Sequence, residues 1–313
     1  MWSWLRHARD AGRIVSDRAE LWIAGALAWL AYGGALLFIG SVVPLPTAAD
    51  LAFFTSQIVV AGSVLPALLL GLVLLAGFVF LLTLHAAGES LVAGELDGRR
   101  DWLPWLRAGA RLLGIYLVAA VPVAAAGLLL SWRLAVVGPA EYQSPDIGGS
   151  LPIRIAGGVA PELALVLLVL LAVQVLTAGA SWRVAGRRGA SIGRALRGGL
   201  SDAAHAPLRL TGVAIVSLAA HLVYAVLVVL LLRLLFAPIG AALAMGEVRD
   251  LAVAALLIGF VAIWLCLVLG GGALHAWSST WWALEMKPSG ALAAPQGRDT
   301  QEHDTPQHEG ASP

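Results

Sequence analysis

Charge, cysteine and lysine are the scarce features of this 313-residue chain. Only 12% of residues are Asp, Glu, Lys or Arg, where soluble domains carry about a quarter. One cysteine, Cys266, lies inside an apolar run, which excludes an internal disulfide framework and a cysteine metal cluster. A single lysine stands beside 19 arginines, and net charge is +1, so no global field favours nucleic acid. Also missing are a Gly-x-Ser-x-Gly elbow, a phosphate loop ending Gly-Lys-Ser/Thr and a His-Glu-x-x-His pair. The usual signatures of hydrolytic, nucleotide and zinc-protease chemistry are therefore absent.

Apolar surface is abundant instead. Hydrophobic residues make up 59% of the chain, and mean hydropathy is +0.85. They run in blocks of twenty or more. A bilayer core is about 30 Å thick and takes roughly 20 helical residues to cross. Six segments meet that length: Leu21–Val43, Gly62–Leu84, Leu112–Ser131, Leu163–Trp182, Leu210–Leu232 and Leu251–Leu274. None carries Asp, Glu, Lys or Arg in its interior, and none alternates polar with apolar as barrel strands do. The expected fold class is all-α, a polytopic membrane protein of six transmembrane helices. The first run spans 23 residues, longer than a signal-peptide core of about 7–15, and reads as a retained helix.

Basic residues give the orientation. Sixteen fall in the N-terminal arm, the 85–111 and 183–209 connections and the C-terminal tail, against four (Arg133, Arg154, Arg233 and Arg249) in the alternate connections. Arg and Lys beside spans stay preferentially in the cytoplasm, so both termini are expected there. Trp102, Trp105, Trp182, Trp277, Trp281 and Trp282 gather at the same end, where indoles favour the headgroup layer. Arg usage with heavy Ala, Leu and Gly suggests a GC-rich bacterial source, and hence an inner (plasma) membrane. Three regions follow: a basic arm over 1–20, a six-helix domain over 21–287, and a polar tail over 288–313 that is too poor in apolar residues to fold.

The chain also repeats itself. Trp4-Leu5-Arg6, Trp105-Leu106-Arg107 and Ala195-Leu196-Arg197 precede the first, third and fifth spans, 101 and 90 residues apart. The second span runs into Ala87-Gly88-Glu89-Ser90 and Val92-Ala93-Gly94. The fourth runs into Ala178-Gly179-Ala180-Ser181 and Val184-Ala185-Gly186, and the sixth into His275-Ala276-Trp277-Ser278-Ser279. Three parallel hairpins are the implied arrangement. Residues 91–108 and 184–204 mix Arg with apolar residues at helical spacing, as interfacial amphipathic segments do.

These features, over residues 4–286, resemble those of a group of bacterial six-helix membrane proteins of unknown function. That group shares its architecture with the membrane domain attached to some glycerophosphodiester phosphodiesterases. The resemblance implies a fold and a location. The 26-residue tail is too short for a catalytic phosphodiesterase domain, so that activity is not carried over.

Ionisable groups at membrane depth are functional candidates by default. His221 lies mid-way along the fifth span, with Ser217 one turn away and Gln174 at similar depth in the fourth. His85 and His275 lie at the ends of the second and sixth spans, and Glu89 shares a helical face with His85. Two readings compete. His85, Glu89 and His275 form a rim site for a proton or, with one open position, a zinc ion; or the histidines meet helix C-termini while Glu89 snorkels to water. For His221 the alternatives are an interhelical hydrogen bond and a proton relay. Gly270-Gly271-Gly272 allows either close packing or a broken, ligand-binding helix. His303 and His308, beside Glu302 and Glu309, read as solvated tail.

The functional expectation is a non-enzymatic membrane scaffold or subunit that binds membrane lipids or partner proteins at its cytoplasmic face. It needs no cofactor, and nucleic acid is not among its partners. A transporter or export component with a path near His221 and Gly270–Gly272 is the alternative. A rim enzyme using His85, Glu89 and His275 ranks third.

Overall fold

A computed structural model describes residues 3–42, 65–97, 102–143, 151–185, 190–245 and 251–286. The tail and its histidines, and the centres of the long connections, lie outside the described residues. The order of elements is α1 (Ser3–Ser16), α2 (Ala19–Trp29), a π-helical turn (Leu30–Gly34), α3 (Ala35–Val42), α4 (Leu65–Leu96), α5 (Trp102–Gln143), α6 (Leu151–Gly158), α7 (Ala160–Ala185), α8 (Ile192–His205), α9 (Pro207–Ala244) and α10 (Leu251–Met286). No strand occurs among the described residues. The protein is an all-α, multi-pass membrane protein, with five helices long and apolar enough to cross a bilayer: α4, α5, α7, α9 and α10.

Residues 71–80 of α4 are exposed on every side, and Leu72 and Val73 are 67% and 65% open. A run of that size facing water would drive association; facing lipid it costs nothing. The helices outrun the apolar windows read from sequence: α4 continues twelve residues past Leu84, and α10 continues twelve past Leu274. Each prolongation carries part of the polar cluster described below.

The expected first span is divided by the π turn, though its backbone stays right-handed helical through Leu30 and Ala35. At the turn's end the Gly34 carbonyl accepts a bond from the Trp264 indole at 3.3 Å, a substitute partner where the regular ladder is interrupted. Packing follows chain order around a closed circuit: α2 on α4, α4 on α5, α5 on α7, α7 on α9, α9 on α10, and α10 back on α2. α10 also touches α4 and α7, which brings its polar face to the middle of the cluster.

α10 runs unbroken through Gly270–Gly272. A Cβ at Gly272 would overlap the backbone of Trp22 and Ala26, and one at Gly271 would overlap the Trp29 indole. The triple glycine thus serves close approach of α2 and seats a buried tryptophan.

α1 lies against the end of α10. Its His7 pairs with Glu285 at 2.9 Å, Trp4 stacks on Trp281 at 5.8 Å, and the Trp277 indole donates to the Ala8 carbonyl at 2.9 Å. Arg209 of α9 meets the other Glu285 oxygen at 3.1 Å. Trp281 and Trp282 are buried, at 0% and 6%. They form protein core under α1, where the sequence pattern placed them among lipid headgroups. Around the 91–108 connection, residues 91–96 belong to α4 and 102–108 to α5, so the amphipathic stretch expected there is built largely into the long helices.

Candidate functional site

The four ionisable candidates converge between α4, α5, α7, α9 and α10. His275 Nε2 donates to Glu89 Oε1 at 2.6 Å, and Ser279 Oγ donates to the same oxygen at 2.9 Å. Their side chains are mostly buried, 7% open for His275 and 17% for Glu89. His85 and His275 each stand eleven residues short of their helix's last residue. They therefore sit too far from a helix C-terminus to be held by it, and Glu89 is paired inside the protein.

The three imidazoles adjoin. His275 has ring centroids of His85 and His221 at 5.5 and 6.0 Å, and His85 packs on Tyr116 at 4.6 Å. His85 Nδ1 lies 3.3 Å from the Ala28 carbonyl, and His221 Nδ1 lies 2.8 Å from the Ser217 carbonyl. A carbonyl only accepts, so both Nδ1 atoms carry protons, and in a neutral ring Nε2 is then the acceptor.

Hydroxyls and one amide complete the cluster. Tyr116 and Ser181 are joined at 3.1 Å, Gln174 Nε2 donates to Ser217 Oγ at 3.3 Å, and Ser217 is hydrogen-bonded to Ser278. Ser217 and Gln174 are the neighbours the sequence assigned to His221. The contact to the histidine runs through the Ser217 backbone, and Gln174 reaches the serine hydroxyl instead. Tyr116 escaped the sequence reading. Its signal was a phenol inside an apolar run, where a hydroxyl must find a partner.

Apart from Ser217, which is fully buried behind them, these side chains line one elongated cavity of about 430 Å³. Along α4 it extends from Phe78 to Leu96, eighteen residues or about 27 Å at the helical rise. Polar residues form its waist. Toward Phe78 the wall is apolar, with Leu82, Ala120, Val123 and Leu170; toward the opposite end it is apolar again, with Val92, Leu96, Trp182 and Trp282. Phe78 is itself 45% exposed, so the cavity reaches the bilayer-facing surface.

Within the waist, His221 Nε2 and Gln174 Oε1 are shielded from solvent and have no hydrogen-bond partner. Among the described residues, no group of three His, Cys, Asp or Glu is placed to hold a metal ion. The arrangement sets three imidazoles, one carboxylate and several hydroxyls side by side in a low-dielectric setting. Against known protein families, curated proteins and solved structures, the chain has no match.

Proposed function

We propose that this chain is a non-enzymatic integral membrane protein that takes up a lipid in the cavity between α4 and α10, acting as a scaffold or subunit whose partners are membrane lipids and cytoplasmic or membrane proteins. The observation that carries the reading is the order of the lining: apolar, polar, apolar. Among the described residues, a hydrophilic solute finds no polar path to the waist from either end. An amphiphile has one, through the bilayer-facing opening at Phe78, with its chain left against Leu82, Ala120 and Val123.

The rest of the reading rests on several supports. Six spans follow if the helix from Ala19 to Val42 also crosses; its 24 residues reach about 36 Å, enough for the bilayer core, and it closes the circuit between α4 and α10. Cytoplasmic termini follow from the arginine imbalance. The three-hairpin repeat is supported by α1 and α8, short amphipathic helices that precede the first and fifth spans. It also supports kinship with the six-helix group named above.

The test is purification in native nanodiscs followed by lipid mass spectrometry, beside an Ala120→Phe variant that fills the apolar wall. One lipid class retained at about one molecule per chain, and lost in the variant, is the expected result. Equal lipid content in both proteins would overturn the reading.

One observation favours a transporter instead, namely the contact chain Glu89–His275–His221 with His85 alongside. Proton-coupled flux in proteoliposomes, abolished by His221→Leu, would select that alternative.

A further inference from the structure

We infer that the waist of the cavity recognises the head of an uncharged, hydroxyl-bearing amphiphile, in the chemical class of diacylglycerols and long-chain alcohols. This rests on the lipid-binding reading above and adds the identity of the head.

Charge supplies the first argument. No Lys or Arg is among the described residues that line the cavity, and its one carboxylate is Glu89. A phosphate head would enter a low-dielectric space against that carboxylate, with no guanidinium or ammonium to receive it. Glu89 Oε1 already accepts from His275 and Ser279, so that oxygen is engaged within the protein.

Hydrogen-bond polarity supplies the second. His221 gives its Nδ1 proton to the Ser217 carbonyl, so with the ring neutral its remaining nitrogen accepts. Gln174 commits its amide nitrogen to Ser217 Oγ, and its carbonyl oxygen also only accepts. Among the described residues both acceptors lack a partner, and a buried polar group without one is costly. A ligand hydroxyl donates to such an atom without bringing charge. Size agrees: at about 30 Å³ for each water-sized group, 430 Å³ accommodates a head and the first part of a chain, with the remainder lying in the bilayer beyond Phe78.

The experiment is native mass spectrometry of the full chain in detergent, titrated with dioctanoylglycerol and, separately, with dioctanoyl phosphatidylglycerol. One dioctanoylglycerol per chain is expected, bound about tenfold or more tightly than the phosphatidyl lipid. His221→Leu should weaken the glycerolipid by about tenfold, whereas His221→Gln, which restores an acceptor, should recover most of the affinity. A leucine variant that fails to fold leaves the glutamine variant and the lipid comparison to decide. Equal affinity for the two lipids, or unchanged binding in His221→Leu, would overturn the head assignment alone. Binding of both lipids undiminished by Ala120→Phe would overturn the cavity reading beneath it.

Discussion

Glu89 is the residue on which the polar cluster depends most. Its Oε1 receives both the His275 ring and the Ser279 hydroxyl, and its side chain is only 17% open. Removing one partner of a buried pair strands the other, which costs more than the pair contributes when intact. Glu89→Ala should therefore lower stability by about 3–5 kcal/mol. Glu89→Gln keeps an acceptor carbonyl and should lose about 1–2 kcal/mol. Equilibrium unfolding in mixed micelles ranks the three proteins, and an alanine variant as stable as the parent would mean that the pair is not formed. Sequence alone named all four ionisable members of this cluster, because each is a rare group in or beside an apolar run. It also put His85 and Glu89 on one face through their four-residue spacing. What it could not give was the meeting of three helices that brings His221 and His85 to His275, since nothing local to any one helix encodes their crossing. The choice between a snorkelling and a paired Glu89 turned on the same missing information.

Helices show the same division between local and non-local signals. Apolar windows located every long helix, yet α4 and α10 run well beyond their windows, because a backbone already in helical geometry keeps its ladder wherever the chain finds packing partners. The π turn at Leu30–Gly34 had no marker beyond two glycines, which elsewhere in the chain sit in unbroken helix. For the same reason Gly270–Gly272 was ambiguous between a break and a contact, and only the neighbour decides. A Cβ at Gly272 would strike the backbone of α2, which cannot move aside as a side chain can, whereas Gly212 of α9 has nothing within 4 Å. Gly272→Ala should cost about 1–3 kcal/mol through overpacking. Gly212→Ala should gain up to about 1 kcal/mol from helix propensity. Thermal melts of the two variants in nanodiscs should shift in opposite directions. A Gly272→Ala protein that melts no lower than the parent would place α2 farther from α10 than the contact described.

At the scale of the whole molecule, the sequence shares its basic residues unevenly between alternate connections, sixteen against four. In the sparse set Arg133 and Arg154 lie against Glu162 and Glu141, at 3.6 and 3.2 Å. In the rich set Arg183 and Arg209 are likewise paired, with Asp202 and Glu285 at 2.7 and 3.1 Å, and α1 is held there through His7 and Glu285. An imbalance of that size between alternate connections is the kind that fixes topology during insertion. The number of crossings makes this testable, because five crossings put the two termini on opposite sides and six put them on the same side. The decisive segment is Ala19–Val42, whose π turn divides an otherwise continuous helix. In a Cys266→Ala background, single cysteines introduced as Thr47→Cys, Asp146→Cys and Glu247→Cys should react with an impermeant maleimide on intact cells. Ser3→Cys, Asp101→Cys and Arg188→Cys should react only after permeabilisation. Thr47→Cys and Ser3→Cys are the informative pair, because among the helices between them, α1 and the divided helix, only the divided helix is long enough to cross. Labelling of both from the same side would mean that this helix enters the bilayer without crossing it. The closed circuit of α2, α4, α5, α7, α9 and α10 would then enclose the cavity with five spans and one re-entrant arm.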